Sequence, residues 1–162
     1  MIQTELYEED SQALSESLVR LRRDASARAV YLVDKTGQHI GSAGEVSAFD
    51  TTSLASLVAG NVAATDGLAK LIGEREFSVL FHEGKQDHIH ISIVARRAIL
   101  LVIFDDRSSL GLVRLRVKQA SGEMERIFDQ VNQKTEQSLR GFGDSSPFLE
   151  ITDEDIDALF SE

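Results

Sequence analysis

His88 and His90 stand two residues apart in the segment HIHISIV, a spacing that puts both imidazoles on one face of an extended strand. Imidazoles so placed can ligate a transition metal. A zinc-type site needs at least a third ligand, and the spacing places none. With Ser92, the pair reads instead as the solvated face of a half-buried strand whose other face is Ile89, Ile91 and Ile93. His39, His82 and several Ser and Asp residues are also available, but no serine sits in a nucleophile elbow, so nothing favours a Ser-His-Asp arrangement. The carboxylates Asp105 and Asp106 adjoin in FDDR, at a strand-to-helix turn where Asp ordinarily caps a helix. Neither HIGSAG nor LVAGNVAATDG carries G-x-G-x-x-G, and G-x-x-x-x-G-K-[ST] is absent. No catalytic residue, metal or cofactor is therefore expected.

The elements that must position any site come next. A chain of 162 residues with 42% hydrophobic and 27% charged residues suits one globular domain with a real core. The net charge of -10 argues against nucleic acid or an anionic membrane surface as partner. Cysteine is absent, which excludes disulfides and thiol chemistry and fits a cytoplasmic protein. MIQTELYEED is acidic and lacks an apolar run, so it does not read as a signal peptide. No stretch reaches the roughly 18 apolar residues of a membrane span, and no membrane insertion is expected.

Leu14, Leu18, Leu21 and Ala25 recur at helical spacing and predict a helix over 4–27. AVYLV is rich in β-branched and aromatic residues; with the turn DKTGQ and the weaker HIGSAG it predicts a hairpin. FSVLFHEG, HIHISIVAR and RAILLVIFD predict three further strands, the last apolar throughout and hence central. From Ser108, the stripe Leu110, Val113, Val117, Ala120, Met124, Ile127, Val131 predicts a long helix. The order is α-β-β-α-β-β-β-α, an α+β layer fold: a five-stranded antiparallel sheet between helices, the first and last helices on one face and the middle helix alone on the other. FSVLFHEG is expected to be an exposed sheet edge.

The middle helix, TTSLASLVAGNVAATDGLAKLIGE over 51–74, is unusual. Between Ser53 and Ile72 its only charges are Asp66 and Lys70, whereas a surface helix normally covers its outward face with Glu, Lys and Arg. Helical geometry groups Leu54, Leu57, Val58, Val62, Leu68, Leu71 and Ile72 on a half expected to lie on the sheet. The opposite half carries Ser56, Ala59, Gly60, Ala63 and Gly67, with Ala55, Asp66 and Lys70 at its borders. Small side chains permit close backbone approach, so this half is expected to be a partner-binding surface. From Glu136 the character changes: over 136–162, eight acids against one base leave a net charge of -7. The chain thus divides into a domain over 1–135 and a flexible acidic tail over 136–162. EITDEDIDALF has the form of a short recognition helix capped by Thr152, with Ile151, Ile156, Leu159 and Phe160 as tail contacts.

In element order the chain resembles the Roadblock/dynein light chain family, which has a profilin-like fold. The stretches YLVDKTGQ, DTTSLASLVAGNVAATDGLAKLIGE, FHEG, VIFDDRSSLGLVRLR and SPFLEITDEDIDALFSE resemble its MglB-like bacterial branch in particular. The resemblance covers nearly the whole length and is poorest in the first 25 or so residues and at QSLRGFG. It implies a homodimer that stimulates a Ras-like small GTPase of the MglA-like kind in cell polarity and gliding motility, in the cytoplasm at a cell pole. It also implies second helices side by side, third strands joining two sheets, and one GTPase per two chains on the helix-two side. The GTPase would be remodelled without an arginine finger, although Arg22, Arg23, Arg96, Arg97, Arg107, Arg114 and Arg116 are available. The alternatives are a scaffold that binds a GTPase or polarity protein without stimulating hydrolysis, and an enzyme in its own right.

Overall fold

The computed structural model describes residues 8–143. The first helix, α1, is Glu8–Asp24. It stops short of residue 27 because Ser26 takes a positive φ of 51°, while Ser26 N–H donates to the Arg23 carbonyl and Ala27 N–H to that of Arg22. This is the paired closure of a helix on a left-handed residue. The first hairpin is β1, Ala29–Asp34, and β2, His39–Gly44. Its turn is organised by one carboxylate: Asp34 Oδ1 accepts from Thr36 N, Thr36 Oγ1 and Gln38 N at 2.9, 2.6 and 2.9 Å. Gly37, at φ 95°, supplies the left-handed step, and the turn lies close to the middle helix, 3.5 Å separating a Cβ placed there from Ser56 Cα.

The middle helix, α2, is Thr51–Leu71. Its N-cap is Asp50, whose carboxylate accepts from Ser53 N at 3.1 Å and Ser53 Oγ at 2.8 Å. Gly73, at φ 81°, closes the other end as Glu74 N–H donates to the Ala69 carbonyl. The meander is β3, Val79–Glu83, β4, His88–Val94, and β5, Ala98–Phe104. The last helix, α3, is Leu110–Gly143. Its cap is Ser109, whose hydroxyl accepts from Leu112 N at 3.2 Å. Asp105 instead accepts from the backbone N–H and guanidinium of Arg107, which hold its carboxyl below the usual range. The helix runs past the expected domain boundary at 135, and 144–162 lies outside the described residues.

The element order is the expected one, and the five strands form one antiparallel sheet in the order β2-β1-β5-β4-β3. Every residue of β5 is buried, as its unbroken apolar run requires. Alternation along the strands divides the core in two. On one face Val30, Leu32, Leu100, Val102 and Phe104 meet Leu14, Leu18 and Leu21 of α1 and Val113, Val117 and Met124 of α3. On the other, Tyr31, Val33, Ile91, Ile99, Leu101 and Ile103 meet Ala55, Val58, Ala59 and Val62 of α2. Strand β3 is an edge: its open side has no strand partner among the described residues, and Val79 is exposed.

Candidate partner-docking face

The buried stripe of α2 is Ala55, Val58, Ala59, Val62, Thr65 and Ala69. This corrects the expected division of the helix. Ala59 faces the sheet, only 8% exposed, while Leu57, Leu68, Leu71 and Ile72 point outward at 72, 59, 84 and 68% exposure. The large apolar groups come from the sheet, through Tyr31, Ile91, Ile99 and Leu101, so small helix residues opposite them let the α2 backbone approach closely. Thr65 fits this buried position because its hydroxyl donates to the Asn61 carbonyl at 2.8 Å.

Of the residues expected on the outward half, Ser56, Gly60, Ala63, Gly67 and Lys70 are exposed, Asp66 is half-buried and Ala59 is not outward at all. The space beside Gly60 and Gly67 is open to 4 Å from a Cβ built on either. The face thus combines glycine and alanine with four exposed aliphatic side chains. Burying one such side chain contributes about 1.5–3 kcal/mol, so leaving all four in water is a cost that a docked partner would remove. The edge strand adjoins this helix: Asn61 Nδ2 and His82 Nε2 are 3.3 Å apart, tying α2 to β3. The tail residues Ile151, Ile156, Leu159 and Phe160 lie outside the described residues.

Arg75 was missed by sequence reasoning. It is exposed just beyond the Gly73 turn, at the end of α2 that carries Leu71 and Ile72. A basic residue two positions after a helix-closing glycine is the signal that would have found it. The other arginines are placed elsewhere: Arg97 lies over the Phe128 ring at 5.1 Å, Arg107 pairs with Asp105 at 3.0 Å, and Arg116 donates to Gln119 at 3.2 Å.

The histidine pair is also corrected. His90 and Ser92 are not solvated; α3 covers them, leaving 1 and 5% exposure. His88 is half-buried, its ring 5.2 Å from that of Phe104. His39 Nε2 lies 3.0 Å from Ser42 Oγ on β2, with no carboxylate bonded to the ring among the described residues. No three His, Cys, Asp or Glu residues gather as metal ligands among the described residues. No described helix is long and apolar enough to cross a membrane.

The Roadblock/LC7 domain model matches residues 14–104. Among solved structures, the chain is similar to Myxococcus xanthus MglB at 57% identity, over 77% of this chain and 94% of that one, with a TM-score of 0.74. It is similar to the gliding protein MglB of Thermus thermophilus at 34% identity, over 77 and 95% of the two chains, with a TM-score of 0.72. An MglB described with a tetrameric arrangement is similar at 32% identity, over 78 and 95%, with a TM-score of 0.71. A comparison with curated proteins gave no match. With this agreement over three-quarters of its length and on the same order of strands and helices, the chain belongs to the Roadblock/LC7 family and is MglB-like within it.

Proposed function

We propose that the protein is a homodimeric regulator of a Ras-like small GTPase of the MglA-like kind, acting in the cytoplasm at a cell pole in polarity and gliding motility. The observation that carries this reading is the outward face of α2, apolar and nearly free of charge, on a chain 57% identical to an MglB. The open edge of β3 supports dimerisation by sheet extension, because an unprotected edge strand is otherwise a liability. Ser56, Gly60, Ala63, Gly67 and Lys70 then flank a contact whose apolar centre is Leu57, Leu68 and Leu71, with Asp66 at its border. Two chains meet one GTPase there. The acidic tail supplies a second contact through Ile151, Ile156, Leu159 and Phe160.

Activation proceeds by remodelling the GTPase, with no arginine inserted from this chain. Single-turnover GTP hydrolysis by an MglA-type GTPase, with and without the protein, is the test. Acceleration that survives Arg75→Ala and each alanine replacement of Arg22, Arg23, Arg96, Arg97, Arg107, Arg114 and Arg116 is expected. A loss of about 10³ from one of them, with binding intact, would identify a finger and overturn the remodelling mechanism. Binding without acceleration would make the protein a scaffold. Removing residues 148–162 is expected to leave the dimer intact and weaken GTPase affinity, more at low salt than at high; unchanged affinity across salt concentrations would remove the tail from the contact.

A further inference from the structure

On the sheet face away from α2, a cavity of about 480 Å³ opens between α3 and the start of the β3 edge. Ser78 and Val79 line it from the edge, Val117 and Ser121 from α3, and the buried His90 and Ser92 from β4. This volume lies within the range of small-molecule sites. Two features set it apart. First, His90 Nδ1 and Ser92 Oγ are buried with no hydrogen-bond partner among the described residues. Buried polar atoms are ordinarily paired, so both call for a further partner. Second, Arg114 and Lys118 line the same cavity, four residues apart on α3, and neither forms an ion pair among the described residues. Like charges at that spacing disfavour a helix, and in a chain of net charge -10 no acid is placed between them.

We propose that this cavity binds a small oxyanion, carboxylate or phosphate, carried on a short aliphatic body. Arg114 and Lys118 at the rim supply the charge, His90 and Ser92 supply neutral hydrogen bonds, and Val79 and Val117 meet the aliphatic part. A water molecule would also satisfy His90 and Ser92, but only an anion would in addition meet the two cations at the rim. Burial and the neighbouring Arg114 both push the His90 imidazole below its ordinary pKa, so it meets the anion as a neutral ring.

The test is an amide NMR titration of the full-length dimer in low-salt buffer, with inorganic phosphate, butyrate, butyl phosphate and, as uncharged control, butyramide. Saturable shifts at Val79, Ser92 and Ser121 are expected with an anionic probe, stronger with the aliphatic body attached. Whether butyrate or butyl phosphate binds tighter identifies the anionic head. Arg114→Gln and Lys118→Gln change exposed side chains, so the fold is retained, and each should weaken binding about tenfold. Shifts that do not saturate with any anion, equal binding of butyramide, or affinity unchanged in both variants would overturn the proposal. So would a dimer that closes the cavity and excludes every probe.

Discussion

His90 shows how one residue carries a pH dependence into the fold. Its pKa is lowered first by burial and then by the charge of Arg114. Below about pH 6.5 the unfolded chain binds a proton at this position that the folded chain refuses, so stability falls as pH drops, by up to about 1.4 kcal/mol per pH unit. The stability is fully present above the unfolded value and declines beneath it. Asp34, Glu45, Asp50 and Asp105 are held below their ordinary pKa values, so their contributions are lost only at more acidic pH. Urea unfolding in steps from about pH 7.5 to 5.5 should show a declining midpoint that flattens in His90→Gln; parallel curves for the two proteins would exclude the effect. The alternation His88, Ile89, His90, Ile91 made the strand legible in the sequence, but not which helix lay over the polar side. That depended on α3 reaching across β4, a contact that no local spacing encodes.

At the scale of elements, the β4–β5 turn shows where local signals fail. HIHISIVAR and RAILLVIFD read as strands that meet without a turn residue between them. Yet Val94 pairs with Ala98, and Arg97 N–H donates to the Val94 carbonyl at 3.2 Å. Ala95 and Arg96 take φ of 53° and 59°, the hairpin geometry that Asn-Gly favours. Non-glycine residues there are strained, held by the pairing of two buried strands rather than by their own preference. Ala95→Asn with Arg96→Gly should therefore stabilise the protein by about 1–2 kcal/mol, raising Tm by roughly 2–8 °C; a lower Tm would mean that the packing of Ala95 against the core is worth more than the strain. The helices were more legible because their boundaries carry chemistry: Asp50 before α2 and Gly73 after it are ordinary start and stop signals. The rotation of α2 was not. Its leucines and its small residues are both apolar, so composition could not decide which set faced the sheet. The bulk already contributed by Tyr31, Ile99 and Leu101 decided it.

The whole molecule sets a sheet closed on one face by two helices against a face covered by a single helix with apolar residues outside as well as inside. A protein of net charge -10 has ample acid to solvate such a helix, but α2 carries only Asp66. Gly60 and Gly67 offer the sharpest test of whether this reflects docking. They are seven residues apart, hence on one side of α2, and a Cβ at either would meet nothing within 4 Å. Glycine inside a helix is about 1 kcal/mol less favourable than alanine. In the chain alone, Gly60→Ala and Gly67→Ala should each raise stability by about that amount. If a second backbone must lie against the glycines, the same methyl groups should hold it away. Thermal unfolding of the double variant, set beside sedimentation equilibrium and titration with an MglA-type GTPase, separates the effects. Higher unfolding stability with weaker association, in the dimer or in the GTPase complex, is the expected pair of results. The opposite signs exclude simple misfolding as the cause of weaker association, and which association weakens identifies the partner that touches the glycines. Association that stays unchanged or strengthens along with stability would place the contact elsewhere and leave the exposed leucines without this explanation.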